Sequence, residues 1–247
     1  MPVFFIPANS VQDEHCTLHD PLVDHLFKSL RFRVGDQVWF NDEQRRRYRC
    51  RILRIGPQYL EGEILEILTA PQPSFPRLIL GQAILKGDHM NWLIQKATEL
   101  GVSRIVPLLS HRTVVRPPHS RWESCQARWQ RIAREAAQQA ERWEIPEVAA
   151  PCSLKQFWQT YAPAQTKCLL VARTTTPYTL STLPLPHEAE ACIVFAVGPE
   201  GGWTETECQE SEDQLVHWVT LGASILRAET AALAALSILQ SRLGRLG

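Results

Sequence analysis

The chain has 247 residues, room for one large domain or two modest ones at ~100–200 residues each. Hydrophobic residues make up 45% and charged residues 21%, which excludes wholesale disorder, and no apolar stretch nears the ~18 residues of a membrane span. Lys plus Arg is 26 and Asp plus Glu is 26, so a polyanionic partner needs a local basic face rather than whole-molecule attraction.

The start, MPVFFIPANS, has no basic n-region and does not read as a signal peptide, so a cytoplasmic protein is expected. Seven cysteines with no Cys-x-x-Cys spacing speak against a disulfide framework and a standard zinc site, and His15, Cys16, His19 and His25 lack zinc-finger spacing. No metal is expected. A short helix is predicted from about Pro21 to Leu30, with Asp20 as N-cap and proline at the first helical position. Otherwise the first 70 residues have a β texture. Val38, Trp39 and Phe40 lead into a polar turn at Asn41-Asp42-Glu43, and RRRYRCRIL follows. Strand parity puts Tyr48, Cys50 and Ile52 on one face and Arg47, Arg49 and Arg51 on the other. Residues 31–54 hold eight Arg against three acidic residues. Arg31 and the run Arg45, Arg47, Arg49 and Arg51 then admit two readings, a face that grips RNA phosphates or a charged edge strand that resists aggregation.

Pro71, Pro73 and Pro76 in TAPQPSFPR predict a stiff linker. A domain boundary is expected there, giving residues 1–72 and 73–247.

Beyond it, strand and helix signals alternate, as in an α/β domain with a mostly parallel sheet. RLILGQAIL, RIVPLL, CLLVA and ACIVFAVG read as strands, and another is expected around Trp218–Leu221. Asp88–Leu100 reads as a helix stopped by Gly101. A long helix is predicted from Arg121 to Trp143, with Arg128, Arg131, Glu135, Gln138 and Arg142 on one stripe. Thr204 and Glu207 form a capping box, and a helix rich in small residues closes the chain from Glu229 to Leu243.

Two segments carry candidate chemistry. VGPEGGWTETE runs from a buried strand through Gly198, Gly201 and Gly202 into a capped helix; it lacks the Lys-Ser/Thr of a phosphate loop and the Gly-x-Gly-x-x-Gly spacing. It is either a ligand loop or a tight strand-to-helix turn. VTLGASILRAETAALAAL again ends a strand at glycine, Gly222, and sets Arg227 beside a helix start. Arg227 would stabilise developing negative charge there, or it is a surface arginine paired with Glu229 or Glu200.

Together, VGPEGGWTETE and VTLGASILRAETA resemble the two C-terminal motifs of the RsmE family, SPOUT-superfamily methyltransferases that act on N3 of a uridine in small-subunit ribosomal RNA. LKGDHMNWLIQKATELGVSRIVPLLSHRTVV, AAQQAERWEIPEV and HLFKSLRFRVGD are similar to further family segments, in the same order. The resemblance implies a small PUA-like β-barrel domain followed by a SPOUT domain with a C-terminal trefoil knot. It implies S-adenosylmethionine as cofactor, small-subunit ribosomal RNA or the small subunit as partner, and a homodimer. The cofactor would be held by Val197, Gly198, Pro199, Glu200, Gly201 and Gly202 and by Leu221, Gly222, Ile225, Leu226, Arg227 and Thr230. Gln138, Gln139 and Arg142 would join the arginine face in contacting RNA.

Methylation needs the uridine imide to lose its proton and the resulting charge to be stabilised. Arg227 with Arg142 is expected to do the second, and Glu229 is the motif's acidic candidate. The chain departs from the family pattern at Ser224, Gln138, His111, Ala172 and Arg173. A non-catalytic RNA-binding dimer and a ribose 2′-O-methyltransferase are the alternatives.

Overall fold

Alternation of buried and exposed side chains shapes the first sheet. The computed structural model describes residues 3–19, 21–115, 118–172 and 178–247; Asp20, the expected helix cap, and Arg173 lie outside them. Strands β1 (Val3–Phe5), β2 (Val11–Gln12), β3 (His15–Leu18), β4 (Gln37–Asn41), β5 (Arg46–Gly56) and β6 (Tyr59–Thr69) join in the order β1-β4-β5-β6-β3-β2. The β1–β4 pair is parallel and the others are antiparallel. On β5, Tyr48, Cys50 and Ile52 are buried with Phe4, Leu18, Val38, Phe40 and Leu60, as the period of two requires. Between β3 and β4 the predicted helix is one α-helical turn, α1 (Pro21–Asp24), continued as a π-helical turn over His25–Ser29.

The β4–β5 turn sits one residue later than expected. Asn41 ends β4 as a buried residue, and the turn is built on Asp42. The Asp42 carboxylate is 2% exposed; it accepts from the backbone N–H groups of Gln44 and Arg46, from Arg46 Nε at 2.9 Å and from the Tyr48 hydroxyl at 2.8 Å. Burial pushes this carboxyl up, but the bonds from Arg46 and Tyr48 outweigh it and hold it below the ordinary carboxylate range. A carboxyl lowered in the folded state contributes stability that is complete above its unfolded value, ~3.9, and is lost as pH falls through the folded value. Asp42→Asn is therefore expected to cost ~1–3 kcal/mol at neutral pH and to flatten the acid limb of the stability curve below about pH 4, measured by urea unfolding across pH.

The second sheet is all parallel. Strands β7 (Arg77–Ala83), β8 (Arg104–Leu108), β9 (Glu147–Val148), β10 (Thr166–Leu170), β11 (Cys192–Val197) and β12 (His217–Val219) lie in the order β12-β10-β11-β7-β8-β9. Its central strands are buried on both faces because helices cover each side. One layer contains α2 (His89–Glu99), α3 (Trp122–Gln139) and α6 (Ala228–Arg242), which bury Leu93, Ile94, Trp129, Ala133, Ala232 and Leu236 with Leu78, Leu80, Ile193 and Phe195. The other contains α4 (Leu154–Thr160) and α5 (Glu205–Glu212), with Phe157, Trp158 and Trp203 against Ile79, Val106, Val194 and Ala196. Small residues on α6 let it pack closely against α2, whose end is fixed by Gly101 at φ 84°. A side chain at 101 would collide with the Gln240 amide.

Helix α3 ends at Gln139, four residues before the predicted Trp143. Glu141 takes the left-handed conformation at φ 50°; its N–H donates to Gln138 O, and the N–H of Arg142 donates to Ala137 O. This pair of bonds is a Schellman stop with glutamate in the place glycine usually holds. Arg142 is therefore off the helix and leaves the predicted stripe. The chain divides into two compact units, Met1–Gln72 with Ala137–Glu144, and Pro73–Ala136 with Ile145–Gly247.

Candidate cofactor pocket and substrate residues

In the second unit, the C-terminal ends of β10, β11 and β12 and the start of α6 line a cavity of about 740 Å³. This is the end of a parallel sheet where α/β proteins bind ligands, and the volume suits a small molecule. Segments 197–203 and 221–229 both reach it, apart from Ala223. Val197, Gly198, Pro199, Glu200, Gly201 and Gly202 form one wall, and Leu221, Gly222, Ser224, Ile225, Leu226, Arg227 and Glu229 the other. Thr230 is the exception in the expected set. It is exposed, and Ala231 lines the cavity in its place, because one residue along a helix turns the side chain by ~100°.

The four glycines do different jobs. Gly198 makes room for Trp203, whose ring would lie 3.2 Å from a Cβ there and whose indole N–H donates to Leu170 O at 3.0 Å. Gly201 lies against Arg112, which donates from Nη1 to Gly201 O at 2.9 Å. Gly202 and Gly222 have φ of 67° and 128°, with no atom within 4 Å of a Cβ. Only these two need glycine for conformation alone.

The loop is tied down at both ends. Thr204 and Glu207 form the predicted capping box at α5, and the second Glu207 oxygen accepts from the His111 backbone N–H at 2.9 Å. Glu200 accepts from Lys86 N at 3.3 Å. His111 thus meets this network through its backbone N–H. Arg227 sits at the N-cap position of α6 without a capping hydrogen bond, and its guanidinium makes no ion pair among the described residues. Neither Glu229 nor Glu200 holds it. Glu229 instead is buried and faces His89, with Oε1 3.3 Å from Nδ1. Ile225, 58% exposed, and Leu226 offer uncovered apolar surface on the same wall.

Trp203, within VGPEGGWTETE, also lines the cavity, as do His89, Arg112 and Leu170–Ala172, which were not singled out for it in the sequence. Their positions carry no motif that announces the pocket; the parallel sheet brings them there. Burial raises Cys168 to about 12 and Cys152 to about 11, so these thiols are inert packing groups. Among the described residues no three His, Cys, Asp or Glu side chains form a metal-binding group, and no helix is long and apolar enough to cross a membrane.

The arginine face of the first unit is largely committed. Arg49 pairs with Glu66 at 2.9 Å, Arg51 with Glu63 at 3.4 Å and Arg54 with Glu61 at 3.8 Å, all across to β6. Arg45, in the turn, pairs with Glu144 at 2.6 Å and donates to Pro71 O. Arg47 donates to Asn41 Oδ1 and to Glu141 O, and lies 4.1 Å over the Trp143 ring. Asn41 also donates from Nδ2 to Arg142 O. These contacts fix the Schellman turn. Arg31 is exposed at φ 56° and has no such partner among the described residues. Gln138 is half-buried and Gln139 exposed at the end of α3.

A family described as the RNA methyltransferase domain matches residues 72–240, and a family described as the RNA methyltransferase PUA domain matches residues 20–65. A ribosomal RNA small subunit methyltransferase E of Synechocystis is 36% identical over 224 residues, covering 90% of this chain and 71% of that protein. The chain belongs to this methyltransferase family. Another member, from Bacillus subtilis, is 30% identical and is covered over 85% of its length by 87% of this chain. The structure of the Neisseria gonorrhoeae member bound to S-adenosyl methionine superposes with a TM-score of 0.87 at 33% identity, covering 98% of each chain. The family's fold, an N-terminal PUA domain before an α/β methyltransferase domain, is thus present here.

Proposed function

We propose that the chain transfers the methyl group of S-adenosylmethionine to N3 of a uridine in small-subunit ribosomal RNA. One observation carries this reading: two glycine-bearing strand ends, 197–202 and 221–227, line a single cavity with an uncommitted arginine on its wall. The cavity fits the cofactor. It offers backbone at Gly202 and Gly222 open to close approach, and apolar surface from Leu221, Ile225 and Leu226. Bound there, the cofactor supplies an electrophilic methyl on a sulfonium. The protein's residues do the rest. Arg112 and Trp203 hold the first glycine loop in shape. Arg227 stabilises the negative charge that the uridine imide acquires when its proton leaves. Holding N3 in line with the methyl removes up to ~7–11 kcal/mol of barrier in the best cases.

On the RNA side, Arg31, Gln138, Gln139 and Arg142 are the contacts this reading favours. Arg49 and Arg51 would exchange the exposed Glu66 and Glu63 for phosphate, and Arg45 and Arg47, which also brace the turn at 138–144, complete the same face. Homodimerisation, the trefoil threading of the C-terminal helix, a cytoplasmic location and a functional division into 1–72 and 73–247 belong to the same proposal. Purified protein incubated with small ribosomal subunits and labelled S-adenosylmethionine is expected to yield N3-methyluridine by nucleoside mass analysis. Ribose methylation, or cofactor binding without transfer, would refute it.

A further inference from the structure

The imide of uridine is mostly protonated at neutral pH, so transfer to N3 needs a base as well as a cation. Among the described residues His89, the first residue of α2, is the imidazole on the cavity wall. Its Nδ1 lies 3.3 Å from Oε1 of Glu229, a carboxylate in the first turn of α6 that is 9% exposed. A carboxylate facing Nδ1 favours the tautomer with the proton on that nitrogen, which leaves the Nε2 lone pair available; Nε2 has no partner among the described residues. The imidazole is half-exposed, and so open to a nucleotide entering the cavity.

We propose that His89, oriented by Glu229, is the general base that removes the N3 proton of the substrate uridine. The inference rests on the proposed uridine-N3 reaction. The N3 proton passes to Nε2, the freed N3 lone pair forms the bond to the methyl carbon, and the carbon–sulfur bond breaks with its electron pair going to sulfur. The imidazolium then returns its proton to water. Glu229 stabilises that imidazolium, so one carboxylate sets the tautomer before transfer and balances the charge after it. The other charged groups nearby are Asp88, which precedes His89 and lies 3.4 Å from Arg128, and Lys86; Arg112, Arg227 and Glu200 line the same cavity. Arg227 and His89 then divide the work, the cation holding the anion that the base creates.

The experiment compares wild type, His89→Gln and His89→Ala in single-turnover methyl transfer to small ribosomal subunits, with cofactor affinity measured by calorimetry. His89→Gln is expected to lose ~10²–10⁴ in rate while binding S-adenosylmethionine as wild type does. Free imidazole is expected to restore activity to His89→Ala, which a merely structural histidine would not permit. A His89→Gln rate within about threefold of wild type overturns the inference, as does a loss matched by lost cofactor affinity with no rescue by imidazole. A wild type that makes no N3-methyluridine overturns the functional reading and this inference together, whereas an active wild type with an indifferent variant overturns the inference alone.

Discussion

Replacing Arg227 with alanine is expected to lower the single-turnover methyl-transfer rate by ~10²–10³, with a far smaller change in cofactor affinity. Arg227 is exposed at the N-cap position of α6, lines the cavity, and spends none of its charge on a neighbouring carboxylate among the described residues. Such a guanidinium keeps its charge available for the negative charge that develops only during reaction. Its removal should therefore appear in the rate and not in ground-state binding. Calorimetry with S-adenosylmethionine beside a rapid-quench rate on small subunits separates the two. A variant with full turnover and normal cofactor binding would take Arg227 out of the mechanism.

Gly81→Val is expected to cost ~1–3 kcal/mol of stability, read as a lower denaturant midpoint. Gly81 lies mid-way along β7, the strand between β8 and β11, and a Cβ there would lie 2.7 Å from Phe157 Cζ and 3.0 Å from Leu108 Cδ1. Neither neighbour can retreat, because Phe157 and Leu108 are fully buried. Gly56→Ala is the control: no atom lies within 4 Å of a Cβ at 56, and a change within ~0.5 kcal/mol is expected. A Gly81 variant as stable as wild type would mean that α4 can shift on the sheet.

What could be read from the residues was local. Parity in RRRYRCRIL placed Tyr48, Cys50 and Ile52 inside because a strand has no other way to hide three residues two apart. Gly101 and the Thr204/Glu207 box marked helix ends through their own backbone chemistry. The family motifs marked both walls of the cavity before any coordinate did. What stayed hidden depends on partners far along the chain. The arginine run did not show that the β5–β6 register sets Glu66, Glu63 and Glu61 beside Arg49, Arg51 and Arg54. The stop after α3 was unreadable because Glu141 adopts a conformation that sequence rules reserve for glycine. Helix α4 was missed although Ser153 and Gln156 form a capping box, since seven residues are too few to show a helical period. His89 and Arg112 belong to the pocket only through the order in which the parallel strands are laid down.

The composition of the first compact unit has a consequence for modularity. Because residues 137–144 belong with 1–72, the chain passes from one unit to the other three times. A recombination break at the proline-rich connector would carry off Asn41, Arg45 and Arg47 without the main-chain oxygens, the Trp143 ring and the Glu144 carboxylate that they engage. The N-terminal module is therefore not a cassette that a single crossover can transplant. A functional graft onto another enzyme must take two pieces of sequence, 1–72 and 137–144.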